Sequence, residues 1–305
     1  MKKCLVIYNP NSGKISKNKI DSKFQDILID HGYTPTFKRT DYAGHATEII
    51  RNSEFYDLVI SVGGDGTFNE AISGNFKRDD KLLLAHIPLG TTNDIGAMFG
   101  YGKNIYDNLK MTLSGVEREI DICTVNDKPF VYVSGFGKFM NVPYETPRAL
   151  KKKIGYLAYI LNGIKSFNTK TPLYELEFDV NGEKYKGLYS FAVITNANRI
   201  AGINNIYDNI KLDDNKFEVL LSNLTKKKDI VNSLRYLITN DITKVPGFYF
   251  YRTDEMTIRF KRPIRQHWCL DGEEFKSNSL EYIIKINKGI RVLIPVKNVD
   301  KLFER

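Results

Sequence analysis

The chain has 305 residues and carries 45 Lys plus Arg against 36 Asp plus Glu, a formal net charge of +9. Hydrophobic residues make up 42% and charged residues 27%, ordinary globular usage that excludes disordered, collagen-like and coiled-coil classes. The length suits two domains with a core each, and the charge admits a polyanionic partner, nucleic acid or an anionic membrane, without choosing between them.

The N-terminus, MKKCLVIYNP, holds a short apolar run that reaches Tyr8 before the turn pair Asn9-Pro10. That run is too short for the apolar core of a signal peptide, and no stretch of about 18 apolar residues exists that could span a bilayer. A cytoplasmic protein is expected. Cys4, Cys123 and Cys269 are odd in number and far apart, so buried reduced thiols are expected rather than a disulfide framework or a zinc site.

From Lys2 to about Asp121, short apolar runs at 4–8, 57–62 and 82–87 read as buried strands. Helical patterns at 21–31, 46–52, 68–73 and 106–114 alternate with them, which predicts a parallel sheet covered on both faces. After Asp121 the pattern changes. Strand-like segments at 130–133, 173–180, 185–195, 216–221, 255–260, 267–270 and 281–287 are separated by turn pairs such as Asn181-Gly182 and Asp271-Gly272, which predicts an antiparallel sandwich. Two helices, at about 149–166 and 228–239, interrupt it.

Ligands of an open parallel sheet bind outside the carboxyl ends of its strands, so the segments after each strand carry the most information. The first is Asn9-Pro10-Asn11-Ser12-Gly13-Lys14, rich in amide and hydroxyl groups. The second is Gly63-Gly64-Asp65-Gly66-Thr67-Phe68-Asn69-Glu70, in which glycines admit close backbone approach. Thr67 and Glu70 have capping-box spacing, so a helix starting there would turn its N–H groups toward a phosphate. Asp65 would repel phosphate directly and suits an indirect role beside magnesium. Taken alone, GGDG fits an ordinary tight turn equally well. The third segment, Pro88-Leu89-Gly90-Thr91-Thr92-Asn93-Asp94, repeats the design, with Asn93-Asp94 opening a helix through 95–99. Neither a P-loop nor a GxGxxG fingerprint occurs at these positions.

NPNSG, GGDGTFNE and PLGTTND, in this order and spacing, resemble the diacylglycerol kinase catalytic-domain family. The segments Val142-Pro143-Tyr144-Glu145-Thr146-Pro147, Lys211-Leu212-Asp213-Asp214 and Leu270-Asp271-Gly272-Glu273 extend the resemblance along nearly the whole chain, toward the soluble bacterial members. GGDGT alone is shared with NAD kinases and phosphofructokinases, and PLGTTND separates the sequence from both. The resemblance implies an α/β plus all-β fold, with a Rossmann-like nucleotide domain over 1–121 plus 292–305 and a β-sandwich domain over 122–291. It also implies a lipid kinase that uses ATP and Mg2+ and phosphorylates diacylglycerol to phosphatidic acid, with another lipid alcohol as the alternative acceptor.

By the same resemblance, ATP is held by Asn9, Pro10, Asn11, Ser12, Gly13, Thr40, Gly64, Asp65, Gly66, Thr67, Phe68, Asn69, Glu70 and Thr91. Asp65, Asp94 and Asp121 would form an aspartate, water and magnesium network. Phosphoryl transfer rests mainly on positioning and charge neutralisation, so carboxylates there are chemically reasonable. Glu273 is implied as proton acceptor with Asp271 as its partner near the metal; the reverse stays open, as does a plain hairpin turn. A second, structural magnesium is implied at Asp214 and the main-chain carbonyls of Lys211 and Lys216, although Asn215 and Lys216 depart from the family pattern of glycine and an aromatic.

Between 148 and 170 lie six basic residues and no acid, interleaved with Ile154, Tyr156, Leu157, Tyr159, Ile160, Leu161 and Ile164. Such a helix either docks on the core or brings the lipid substrate's site to an anionic membrane surface; the two are compatible. Lys14, Lys17, Lys19 and Lys23 add a second basic group, unless Lys14 touches phosphate. His45 and His267 lack a partner at ligand spacing, and Trp268 suits either a core strand or a lipid pocket. No recognised nucleic-acid motif occurs, so no nucleic-acid partner is expected, while a homodimer is compatible with the resemblance.

Overall fold

The computed structural model describes residues 1–12, 17–90, 93–137, 171–197, 199–200, 203–204, 210–226, 228–229, 245–264 and 268–304. The expected helix over 149–166 lies outside them, as does all but 228–229 of the one over 228–239. The chain forms two compact units: Met1–Asp121 with Lys288–Arg305, and Ile122–Asn287.

The first unit alternates strand and helix: β1 (Lys2–Tyr8), α1 (Lys17–Asp30), β2 (Tyr33–Arg39), α2 (His45–Arg51), β3 (Leu58–Gly63), α3 (Asp65–Phe76), β4 (Leu84–Pro88), α4 (Asp94–Met98), α5 (Ile105–Leu113) and the start of β5 (Val116–Val125). The strands run parallel in the order β2-β1-β3-β4. The central strands are buried along most of their length, as a sheet covered on both faces requires. Cys4, Val6, Ile60, Val62 and Ile87 pack with Phe24, Leu28 and Leu109 of α1 and α5 on one face. On the other face His86 stacks on Phe68 of α3. The unpredicted β2 is the edge strand, where Pro35 is tolerated because one side of the strand has no ladder to supply.

The second unit contains β6 (Lys128–Phe130), β7 (Val133–Gly137), β8 (Tyr174–Val180), β9 (Glu183–Tyr189), β10 (Phe191–Thr195), β11 (Arg199–Ile200), β12 (Ile203–Asn204), β13 (Phe217–Ser222), β14 (Phe248–Thr253), β15 (Glu255–Phe260), β16 (Trp268–Leu270), β17 (Glu273–Phe275) and the first half of β18 (Glu281–Ile294). One antiparallel layer runs β18-β15-β8-β9, and a six-stranded layer runs β14-β13-β10-β7-β16-β17. Phe178, Met256, Ile258 and Tyr282 of the first layer meet Phe136, Ile194, Phe217 and Trp268 of the second in one core. The fold is therefore α/β plus an antiparallel β-sandwich, as expected.

Two expected strands are each divided. The run at 130–133 breaks between β6 and β7. The run at 185–195 is two strands in different layers, because at Ser190 the backbone N–H and Oγ both donate to the Ser222 carbonyl, at 2.6 and 2.9 Å, as the chain changes sheet. Strand β18 then returns to the first unit, where Val292 pairs in parallel with Leu84. A short 3-10 turn (Val296–Asn298) and α6 (Val299–Leu302) follow it there.

Candidate functional site

The four parallel strands of the first unit place their carboxyl ends on one edge, and the predicted nucleotide segments leave from that edge. After β1, the Asn9 side chain makes an Asx turn, its Oδ1 accepting the Asn11 N–H at 2.9 Å while its carbonyl accepts the Ser12 N–H at 3.1 Å. Pro10 is enclosed in this turn; Gly13 lies outside the described residues. Thr40, at the end of β2, is buried and donates its N–H to the Tyr8 carbonyl.

The segments after β3 and β4 are tied together. A Cβ on Gly90 would stand 2.6 Å from the Gly64 Cα, so the two backbones approach closer than any side chain allows. The Leu89 N–H donates to the Gly63 carbonyl. Asp65 then reaches across: its Oδ2 accepts the Asp94 N–H at 2.9 Å and its Oδ1 the Ile95 N–H at 3.2 Å. Asp65 thus caps α4, a helix from the other segment, and its charge lies where a helix N-terminus favours an anion. Asn93, in left-handed conformation with φ 49°, contributes no side-chain cap; its amide closes a ring with Gly90 instead, accepting the Gly90 N–H at 2.6 Å and donating to its carbonyl at 3.0 Å. Thr91 lies outside the described residues.

The capping box expected of Thr67 and Glu70 does not form. Helix α3 starts earlier, at Asp65 after Gly64, so Glu70 is in its second turn. The Glu70 carboxylate accepts the N–H groups of Gly44 and Ala46 at 2.8 and 3.0 Å and so caps α2, a different helix from the one its spacing suggests. Phe68 is buried against His86, and Asn69 Oδ1 accepts the Ser73 hydroxyl. Gly66 differs from its neighbours: a Cβ there would meet nothing within 4 Å, and its φ is not positive. Asp94 and Asp121 are both buried, at 1% and 4% exposure.

In the second unit Asp271 and Gly272 make a two-residue hairpin turn between β16 and β17, with φ 48° and 87° and Leu270 paired to Glu273. Asp271 is buried. Its carboxylate accepts three backbone N–H groups, from Val131 at 2.6 Å and from Tyr132 and Val133 at 2.9 Å, and its own N–H donates to the Val133 carbonyl. Burial pushes this carboxyl up to about 6 against the three donors that pull it down. Asp271 thereby holds the bend between β6 and β7. Glu273 is exposed on the other side of the turn.

The loop before β13 centres on Asp214, whose Oδ2 accepts the Lys211 N–H at 3.3 Å and Oδ1 the Lys216 N–H at 2.9 Å, with Asn215 left-handed at φ 57°. The cation against Asp214 is Arg252, paired with its Oδ2. Arg252 stands opposite Glu218 in the β13–β14 ladder and also reaches Glu218 Oε1 at 3.2 Å. Sequence reasoning missed both residues, since nothing in a lone Glu and a distant Arg marks them as cross-strand partners. Among the described residues no three His, Cys, Asp or Glu side chains converge as a metal site.

A parallel α/β unit with glycine-rich, amide-rich loops at its carboxyl edge, followed by an antiparallel β-sandwich, defines the class of fold. Residues 3–125 match the family model of the diacylglycerol kinase catalytic domain, so this part of the chain is similar to the catalytic domain of that kinase family. It is 26% identical to the diacylglycerol kinase of Bacillus subtilis (strain 168) over 99% of each chain. It is 28% identical to that of Staphylococcus aureus (strain bovine RF122 / ET3-1) over 89% of this chain and 86% of the relative. A crystal structure of a diacylglycerol kinase from Bacillus anthracis str. Sterne shares the fold, with a TM-score of 0.76, 22% identity and coverage of 96% and 97%. No helix among the described residues is long and apolar enough to cross a membrane.

Proposed function

We propose that the chain transfers the γ-phosphoryl group of ATP to the hydroxyl of diacylglycerol and yields phosphatidic acid. The observation that carries nucleotide binding is Gly66, which neither φ nor packing requires to be glycine, at the edge where a parallel sheet receives ligands. Its bare backbone leaves room for phosphate oxygens. Asn9 to Gly13, Thr40, Gly64 to Glu70 and Thr91 would line the nucleotide. Asp65, whose two oxygens already accept backbone N–H groups, and the buried Asp94 would meet magnesium through its water ligands, as the resemblance implies; the ion would neutralise charge on the phosphates. Asp121 is assigned to the same network by resemblance. Glu273 would take the proton of the acceptor hydroxyl, a role its exposure on the hairpin permits.

The membrane role proposed for the basic stretch at 148–170 rests on its sequence alone, as does the proposal of a cytoplasmic enzyme that meets its lipid at an anionic surface. The decisive experiment offers labelled ATP and magnesium with mixed micelles of diacylglycerol, phosphatidylglycerol or sphingosine. Label on diacylglycerol is expected. Label on another lipid alone would replace the acceptor, and label on no lipid would overturn the function. Asp65→Asn, which keeps one acceptor oxygen for the two N–H groups of the α4 cap and removes the charge, should cost about 1 kcal/mol of stability and lower turnover by about 100-fold or more; retained turnover would reduce Asp65 to a cap.

A further inference from the structure

The Asp214 loop departs from what its resemblance implies. A divalent ion held by Asp214 and the carbonyls of Lys211 and Lys216 needs a carboxylate oxygen turned outward to it. Here each oxygen of Asp214 already accepts a backbone N–H from one of those same two residues, and Oδ2 faces the Arg252 guanidinium as well. The Asp214 side chain is 4% exposed and that of Glu218 2%, so Arg252 covers two acids removed from water; burial pushes the Glu218 carboxyl up to about 8 against the guanidinium that pulls it down. Its position is set by the sheet, because Arg252 is the register partner of Glu218 across β13 and β14. A dication and a guanidinium on one carboxylate oxygen repel, and only one of them can neutralise it.

We infer that Arg252 is the resident cation of this loop and stands in place of a structural divalent ion, which the chain does not need for stability. The guanidinium supplies the positive charge, and its fork spans the two carboxylates as a single point charge could not. Glu218 Oε2 is buried and has no hydrogen-bond partner, so removing Arg252 would leave an oxygen pair open to a dication. The loop would then hold its shape with an ion that wild type excludes.

Thermal unfolding of the full chain without nucleotide tests this, in EDTA and in magnesium or manganese chloride at matched ionic strength. Wild type and Arg252→Lys should melt within about 1 °C in the two conditions. Arg252→Met should melt several degrees lower in EDTA and recover part of the loss with the dication. Should Arg252→Met not fold, Arg252→Met/Glu218→Gln, with one carboxylate fewer, takes its place with the same expected recovery. Wild-type ion dependence that Asp214→Asn removes would overturn the inference. So would a Met variant no more ion-dependent than wild type, whatever dependence the two share through ions bound elsewhere. No substrate enters the experiment, so its outcome is independent of the lipid acceptor.

Discussion

Gly66 and Gly90 flank the same edge of the sheet, yet the fold makes opposite demands on them. A methyl group at Gly90 would stand 2.6 Å from the Gly64 Cα and 2.8 Å from Asn93 Oδ1, both fixed by the tie between the two loops. Gly90→Ala should therefore cost about 1–3 kcal/mol through overpacking. Gly66 lies inside α3 in open space, so Gly66→Ala should leave stability unchanged or raise it by up to about 1 kcal/mol, because alanine favours the helix. If phosphate approaches that backbone, the same variant raises the KM for ATP at least tenfold. Melting temperature and ATP kinetics on the two variants separate the roles, and a Gly66→Ala enzyme with normal KM would remove the nucleotide from this position. His86 makes a second demand on the fold. Its Nδ1 lies 3.0 Å from Ser61 Oγ, its Nε2 is buried without a partner, and burial lowers it to about 3. The unfolded chain titrates near 6.5, so the stability of the neutral imidazole is complete above that pH and is lost as pH falls toward 3. Between pH 6 and 5 wild type should lose about 1 kcal/mol more than His86→Phe, measured by urea unfolding; equal slopes would show that the folded state accommodates the proton.

At the scale of elements, what was legible in the sequence depended on whether the cause was local. Strands β1, β3 and β4 were readable because a strand buried on both faces is a continuous apolar run, and residues 255–260 coincide with β15 because an alternating half-buried strand carries its own period. The edge strand β2 was not, since its half-exposed residues and Pro35 dilute the pattern. The carboxylates show the limit most clearly. Asp65 and Glu70 cap helices that begin 29 and 25 residues away in sequence, and Asp271 holds a backbone 138 to 140 residues distant, so no spacing rule could reach them. The same distance makes Asp271 an organiser of elements rather than a surface acid. Asp271→Asn tolerates the left-handed backbone but offers one acceptor oxygen to three N–H donors and turns an amide toward one of them. It should cost about 1–3 kcal/mol. Amide exchange at Val131 to Val133 should accelerate by more than the global loss predicts, and uniform acceleration across the sandwich would deny Asp271 a local role.

The whole molecule is built on a chain that leaves its first unit and comes back. The family match ends at residue 125, but the first unit is completed by Lys288–Arg305. Val292 lies beside Leu84 in the parallel sheet, Arg291 pairs with Glu117 at 2.7 Å, and Asn298 donates to the Met98 carbonyl at 2.7 Å. Ile290, Val292, Ile294, Val299, Leu302 and Phe303 are all buried, and none has a substitute within residues 1–125. A fragment covering only the family match would therefore expose the side of β4 that β18 covers, leaving unpaired backbone groups and an apolar strip. Such a fragment should show no cooperative urea transition. In the full chain, Leu302→Ala alone should cost about 2–5 kcal/mol, as truncation of a buried leucine does. Because the return passes through β18, whose earlier residues pair with β15 in the second unit, damage to the tail is expected to loosen the first unit's amides before those of β13 and β10. Hydrogen exchange on Leu302→Ala resolves the two units separately. A sharp unfolding transition in the 1–125 fragment would show instead that the nucleotide half is self-sufficient and that its C-terminal strand is an addition to a finished fold.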